Sequence, residues 1–478
     1  MTAGERTALL GEHREDYEDT ISWSGEDDPE NPLNWAESKK WAHVLIVSFA
    51  TFLVPLGATM FAPAVRQVML EFESDNEVLA SLIVSIYILG WAMGPLVLAP
   101  LSEVCGRLPV YTWCNILYVV FTIACAVAPD LNTLIVFRLL AGVVGSTPVT
   151  IGGGTISDMI PIQVRGKALS MVMLGPILGP SVGPVVGGTL TQTLGWRWIF
   201  WLLAAAFAVM TVGQIVFMRE TYAVTILENK TRALRKETGD SSLRSKLDPG
   251  LSNTQIFTRA IVRPTKLTIS SPINILLSLA SAFINGLLFF LLTTFPLVFQ
   301  VEYQFSPQTI GLSFLGIGAG NIIGLALFGL TSDRYIRKRT AQGILRPEDR
   351  LIPVIFSAPL LAIGLLWFGW SAQFHFHWIV PILGTALIGA GNILFFAAIT
   401  GYLVDAYTIY AASAIAANAV LRSVGGTLLP LLGRPLYQAL HWGWGSTVLA
   451  AVSLLFTPAL VFIYVYGEKY RLRYAVEL

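Results

Sequence analysis

Charge is what this chain most lacks. Only 13% of its 478 residues are Asp, Glu, Lys or Arg, about half the ~25% of an average soluble domain. The 31 basic and 30 acidic residues are also clumped, with 15 in residues 1–40, 15 in 219–270 and 9 in 332–350. The nearly uncharged stretches between them exclude a soluble enzyme. Cysteine is scarce too: Cys105, Cys114 and Cys125 are an odd trio within one stretch, which supports neither a disulfide framework nor a zinc site. Five histidines are spread over the tail, one apolar run and the loops; His375 and His377, the only close pair, have no acid beside them in sequence, so no metal centre and no catalytic cluster is expected. There is no GxxxxGK[ST] phosphate loop, so the chain itself does not burn ATP, and Gly316-Ile-Gly-Ala-Gly320 reads as helix packing inside an apolar run. A net charge of +1 gives no basic excess for nucleic acid. The opening residues, MTAGERTALLGEHREDYEDT, contain no apolar core of a secretory signal, so the first apolar run is expected to target the chain.

What is present is hydrophobic residue, 54% of the chain. A bilayer core needs roughly 20 apolar residues per helix, and apolar runs bounded by charges, Pro or Gly predict helices near 41–61, 78–99, 109–128, 131–156, 167–190, 197–217, 271–299, 308–331, 351–371, 377–403, 411–433 and 444–466. The fold class is therefore all-α and polytopic, twelve transmembrane helices in two six-helix halves. Twelve spans put both termini on one side, and 26 of the 31 Lys and Arg then fall there, against Arg66, Arg197 and Arg434 on the other and Arg138 and Arg422 within spans. The positive-inside bias makes that side cytoplasmic. The organisation read from these runs is a disordered acidic tail (1–40), a first half (41–218), a linker (219–270), a second half (271–467) and a short C-terminus (468–478). In the linker, Val224, Leu227, Thr231 and Leu234 are spaced for an amphipathic helix on the membrane face. The Asn229-Lys230-Thr231 sequon lies in this loop and is expected to be unused.

A repeat relates the halves. Gly94-Pro-Leu-Val-Leu-Ala-Pro-Leu-Ser-Glu103-Val-Cys-Gly-Arg107 follows the second run and Gly324-Leu-Ala-Leu-Phe-Gly-Leu-Thr-Ser-Asp333-Arg334-Tyr-Ile-Arg337 the eighth. Each reads glycine, eight residues, an acid, then arginine. A parallel duplication of six helices is the architecture of a rocking transporter with its substrate between the halves. Asp158 and Asp405, ending the fourth and tenth runs, are expected to pair with Arg107 and Arg337 in a clasp that makes and breaks during cycling.

These segments, with FRLLAGVVGS (137–146), GPILGPSVGPVVGG (175–188), DPENPLNW (28–35), WRWIFW (196–201), RETY (219–222) and AANAVLRSVGGTLLPL (416–431), resemble the major facilitator superfamily, specifically the twelve-span drug:proton antiporters of fungi. The resemblance covers nearly the whole chain from Trp23, with Glu103 where Asp is more usual. It implies a monomeric carrier driven by a proton gradient, with no cofactor, and it gives Arg138 a part in proton coupling. It also makes the run Gly175, Pro176, Gly179, Pro180, Gly183, Pro184, Gly187 and Gly188 an antiporter hinge; as a residue pattern, the glycines every four positions form a ridge for close helix packing.

Arg138 and Arg422 are the ionised groups within spans, and such a group normally faces a cavity or a partner. A guanidinium does not release its proton, so Arg138 would hold carbonyls or tune a carrier. The acids all lie in tails, loops or span ends, leaving as proton carriers Glu103, Asp158, Asp405 and Glu302, or none, so that coupling rests on the resemblance. The expected cavity lining is neutral and aromatic: Thr59, Tyr87, Asn285, Phe289, Thr293, Phe314, Asn321, Asn392, Phe396, Tyr402 and Asn418. It suits amphipathic, uncharged or weakly acidic small molecules such as drugs or fungal metabolites; a polycation would lack carboxylate partners. Export from a plasma membrane is the leading reading, with polyamine export or uptake of a small molecule as the alternative. A membrane enzyme or a sensor is disfavoured by the missing catalytic cluster and the short tails.

Overall fold

Bilayer-spanning segments must satisfy their own backbone polar groups, and here helices do so throughout. The structure, a computed structural model, describes residues 20–161, 164–248, 250, 252–342, 346–407 and 411–473. A short strand, β1 (Thr20–Ile21), precedes the first half, which comprises α1 (Glu37–Thr59), α2 (Val65–Glu71), α3 (Glu77–Cys105), α4 (Arg107–Ala126), α5 (Leu131–Gly145), α6 (Thr147–Met159), α7 (Arg165–Thr193) and α8 (Arg197–Phe217). The linker contributes α9 (Ala223–Thr238), β2 (Arg244–Ser245) and α10 (Asn253–Ser270). The second half follows as α11 (Pro272–Val301), α12 (Pro307–Ser313), α13 (Leu315–Ala341), α14 (Ile352–Gln373), α15 (Ile379–Tyr407), α16 (Ala411–Leu428) and α17 (Gly433–Arg473).

Local chemistry sets the ends. Asn76 accepts from the Val78 and Leu79 amides to start α3, Asp130 from the Thr133 amide to start α5, and Ser252 forms a capping box with Gln255 at α10. Gly106, at φ +93°, turns the chain between α3 and α4 in a conformation that a side chain would strain. Eleven segments among the described residues are long and apolar enough to cross a membrane, and the last, Ser413–Arg471, has 59 residues. As one helix it would run ~90 Å, three times a bilayer core. It folds back instead at His441, whose φ of 57° and ψ of 176° leave the helical region, so twelve passes result.

Glycines let these helices approach without side chains between them. On α7, a methyl at Gly175 would sit 2.6 Å from the backbone of Thr51 and Phe52, and one at Gly179 2.9 Å from the Leu56 nitrogen; Gly183 and Gly187 press on Thr59 and Met60. The ridge thus docks on α1, inside the first half. The repeat is structural as well: Gly94 meets Val143 and Ser146, and Gly324 meets Ala390 and Ile393, so the second helix of each half packs on the fourth through the matching glycine.

The N-terminal segment is a correction to the expected disordered tail. Residues 1–19 lie outside the described ones, but from Thr20 onward the chain is folded: β1 pairs in parallel with β2 of the linker, and buried Asp28 accepts from the Ser24 and Glu30 amides at 2.7 and 2.9 Å. Lys230 on α9 reaches Asp28 at 3.5 Å and Glu30 at 2.8 Å. The amphipathic helix exists, with Leu227 and Thr231 as its buried stripe. An acidic segment and a basic helix neutralise each other, which composition read segment by segment does not reveal.

Candidate functional site

The two halves touch at one end of the bundle. Calling the end that carries the termini and the linker the linker face, the cross-half contacts described here lie toward the opposite, far face. Glu77 at the start of α3 accepts from Gln438 at 2.8 Å and pairs with Arg434 at 3.5 Å. Thr427 donates to the Ser85 carbonyl at 3.4 Å, and a methyl at Gly426 would lie 3.1 Å from Ile88. On the other flank Gly188 meets Pro307, Gly311 meets Pro184 and Val185, and Gly318 meets Ser181. One turn further toward the linker face α7 and α13 part, leaving a groove of about 480 Å³ lined by Trp41, Lys167, Met171, Leu174, Ile177 and Leu325. From Ile177 to Lys167 that opening spans ~15 Å of helix. The halves are thus joined toward the far face and part toward the linker face between α7 and α13, while on the other flank α10 of the linker packs on both α3 and α16.

The two intramembrane arginines, equivalent by sequence, are not equivalent in place. Arg138 is 1% exposed. Its Nε donates to the Ile83 carbonyl at 2.6 Å and its Nη2 reaches the carbonyls of Ala58 and Val84 at 3.4 and 3.5 Å. The rings of Phe61, Tyr87 and Phe200 surround it at 4.8, 5.4 and 5.8 Å. Beside it lies a cavity of about 10 Å³, room for one water molecule, which Tyr118, Thr122 and Cys125 also line. Arg138 is thus a tie between α5, α3 and α1 within the first half. Arg422 lies on α16 one turn toward the linker face from the Gly426 seal. It is half-buried, its guanidinium lies 4.6 Å from the Phe396 ring, and it has no hydrogen-bond or ion-pair partner among the described residues. No described carboxylate acts on either arginine.

Of the expected cavity residues, the structure gathers some under the seal and removes others. Asn285 donates to the Arg422 carbonyl at 3.0 Å, and Asn285 and Phe289 both border Gly426. Phe396 is 38% exposed below Arg422, and half-buried Asn392 precedes it by one turn on the same face of α15. Thr293 is half-buried and bonded to its own helix at Phe290. Asn321 is buried with its carbonyl oxygen unpartnered, where α13 packs against Gly389 of α15. The remaining five are corrections. Thr59 donates to Pro55 and Leu56 of its own helix beneath Gly183. Tyr87 bonds Tyr118 at 3.2 Å beside Arg138. Phe314 stacks in the second-half core 5.1 Å from Phe295. Tyr402 is fully buried near Glu348. Asn418 donates to Ser281 and Ser278, stapling α16 to α11. Each is a polar or aromatic group used in packing within a half rather than between halves.

At the linker face the first-half cluster is assembled. Arg107 Nε pairs with Asp158 at 3.3 Å, its Nη1 donates to Ser102 at 2.6 Å, and its guanidinium lies over Tyr222 at 4.6 Å. Glu103 is exposed and makes no ion pair among the described residues. The residue that sequence reasoning missed is Glu220, whose carboxylate accepts from the amides of Arg107, Leu108, Thr221 and Tyr222 at 2.9 to 3.0 Å. It caps α4 and ties the start of the linker to the repeat motif; the RETY match was the available signal. His43 supports the same junction, with Nδ1 donating to the Lys39 carbonyl and Nε2 accepting from the Arg219 amide. In the second half Asp405 pairs with Arg350 at 2.7 Å; the expected pairing with Arg337 is not placed, because the side chains of Asp333 and Arg337 lie outside those described. Buried Glu348 and Asp349, read only as loop charges, contact Arg471 and, near 4 Å, Arg339 and Arg346. On the far face Glu302 lies 3.1 Å from His375 and accepts from Trp442 at 2.7 Å, so that histidine does have an acid beside it.

Comparison with known proteins decides the family, since the profile of the Major Facilitator Superfamily matches residues 47–430. The chain belongs to the major facilitator superfamily. Among facilitators similar to it, the MFS-type transporter hepF of Aspergillus oryzae is 49% identical over 96% of each chain. The efflux pump radE of Floropilus chiversii is 46% identical over 98% of this chain and 88% of its own. The solved fold of the E. coli xylose transporter XylE, in a partially occluded inward-open conformation, superposes with a TM-score of 0.67 at 16% identity, covering 90% of this chain and 98% of that one. For a facilitator, a cleft sealed at one face and parted at the other is one of the two states between which rocking halves alternate.

Proposed function

We propose that this chain is a secondary transporter that exports amphipathic small molecules, of the kind made as fungal secondary metabolites, by alternating access in exchange for protons. The observation that carries the reading is the cleft itself: halves joined toward the far face, parted toward the linker face between α7 and α13, with Asn285, Asn392 and Phe396 beneath the seal and no described carboxylate acting on Arg422. The excess of Lys and Arg on the linker face makes that face cytoplasmic, so the parted side opens to the cell interior, where an exporter collects its cargo. The names of relatives such as efflux pump radE point the same way. A polyamine fits this lining poorly, because a desolvated cation needs an anionic partner. Proton coupling falls to carboxylates at the faces: Asp158, Asp405, Glu302 and the buried Glu348, one of whose oxygens has no partner.

The test is accumulation of neutral and weakly acidic fluorescent amphipaths, and of spermidine, in cells expressing the protein, with and without a protonophore. Lower amphipath accumulation that disappears with protonophore supports the reading. Protection against spermidine alone overturns it.

A further inference from the structure

A guanidinium inside a bilayer is stabilised by partners or not at all, because an unpaired desolvated ion costs several kcal/mol. Arg138 shows one solution, with three carbonyls and three ring faces. Arg422 has one ring face and no described hydrogen-bond acceptor. Its own carbonyl is occupied by Asn285, which fixes α16 against α11 at this level, and the half-buried guanidinium lies against the exposed ring of Phe396 one turn below the Gly426 seal. While the linker face is open, water can serve it. When the halves close around the cleft the water leaves, and a cation remains with no counter-charge from the protein.

We infer that the substrate supplies that counter-charge: Arg422 anchors the acidic group of an amphipathic monoanion, a carboxylate or acidic enol, whose flat apolar body lies against Phe396. This rests on the exporter reading above and narrows its substrate class. Arginine suits the role because its planar fork takes both oxygens of a carboxylate. Phe396 is placed to meet both parts of such a molecule, since the guanidinium lies against its ring while 38% of the residue stays exposed to a bound body. The same arrangement links binding to cycling. Closure over an empty cleft strands a cation, closure over a bound anion does not, and the loaded carrier therefore crosses more readily than the empty one.

The experiment uses the purified full chain in nanodiscs of zwitterionic lipid, with 1-pyrenebutyrate and its uncharged amide as a matched fluorescent pair. Wild type is expected to bind the acid about tenfold or more tighter than the amide, the effect of one charge-assisted contact. In Arg422→Met the two affinities should converge while amide binding persists, which also reports that the cleft is folded; Arg422→Lys should keep part of the preference. Equal affinities in wild type, or a preference that survives in Arg422→Met, overturn the inference while amide transport would leave the exporter reading standing. Loss of binding of both probes in wild type overturns both. Repeating the titration with anionic phosphatidylglycerol separates the sources of anion: undiminished acid binding supports a small-molecule ligand, and displacement by the lipid overturns it in favour of a headgroup.

Discussion

Replacing Gly311 by alanine adds one methyl group at the contact between the halves, where it would lie 3.0 Å from the Pro184 carbonyl carbon and 3.1 Å from Val185 Cα. The Pro184 carbonyl oxygen is nearer still, and since carbon atoms pack at about 3.5–4.0 Å, the backbones of α12 and α7 must move apart. Overpacking of this kind costs typically ~1–3 kcal/mol, and here it falls only on the conformation in which the far face is shut. A shift of ~1–2 kcal/mol changes a conformational ratio about 5–30-fold. Gly175→Ala makes a comparable clash, 2.6 Å from Thr51 and Phe52, but between helices of the same half that stay together in both states. The assay is thiol labelling of Leu325→Cys in the linker-face groove, in a Cys105→Ser background that removes the exposed native thiol. Gly311→Ala should slow labelling severalfold with little change in melting temperature, while Gly175→Ala should lower the melting temperature and leave labelling unchanged. Identical behaviour of the two variants would refute the division of these glycines into cross-half and within-half contacts.

Three further outcomes follow from the same contacts. Arg138→Ala removes the tie from α5 to the Ile83, Val84 and Ala58 carbonyls and enlarges the neighbouring cavity, so it should cost ~3 kcal/mol or more and lower the melting temperature in detergent; transport is better read in Arg138→Lys, which should fold and lose activity. Glu220→Ala removes the cap of α4 and should destabilise the first half by ~1–2 kcal/mol, with Glu220→Gln closer to wild type, both measured by thermal melts. The N-terminal clasp has a defined pH window: backbone hydrogen bonds from Ser24 and Glu30 hold the Asp28 carboxyl below its ordinary range, and the Glu30 and Asp28 carboxylates raise Lys230. The first contribution is lost only as pH falls through the depressed Asp28 value and the second only as pH rises through the raised Lys230 value, so hydrogen exchange over residues 20–36 should be insensitive to pH near neutrality after correction for the intrinsic rate, and should rise in Lys230→Ala.

The membrane class, the two halves and the Gly94/Gly324 repeat were legible in the sequence because charge depletion, helix length and a recurring glycine each have one physical reading. The cleft lining was not. Helices surrounded by lipid and other helices are apolar on every side, so periodicity does not say which face looks between the halves, and Thr59, Tyr87, Phe314, Tyr402 and Asn418 were indistinguishable from Asn285 and Phe396 until packing placed them. The Arg350 partner of Asp405, at 2.7 Å, was not foreseen, because it comes from a loop whose geometry spacing does not encode. The clasp of Asp28 and Glu30 with Lys230 joins residues 200 positions apart and left no local mark.

The most direct test of alternating access is a pair of spin-label distances measured on the same protein, one between positions 167 and 329 at the linker face and one between 192 and 308 at the far face, where Gln192 accepts from the Gln308 amide at 3.2 Å. Addition of a transported amphipath under a proton gradient should shorten the first distance as it lengthens the second. Transport that proceeds while both distances stay fixed would contradict rocking of the two halves about the Arg422 cleft.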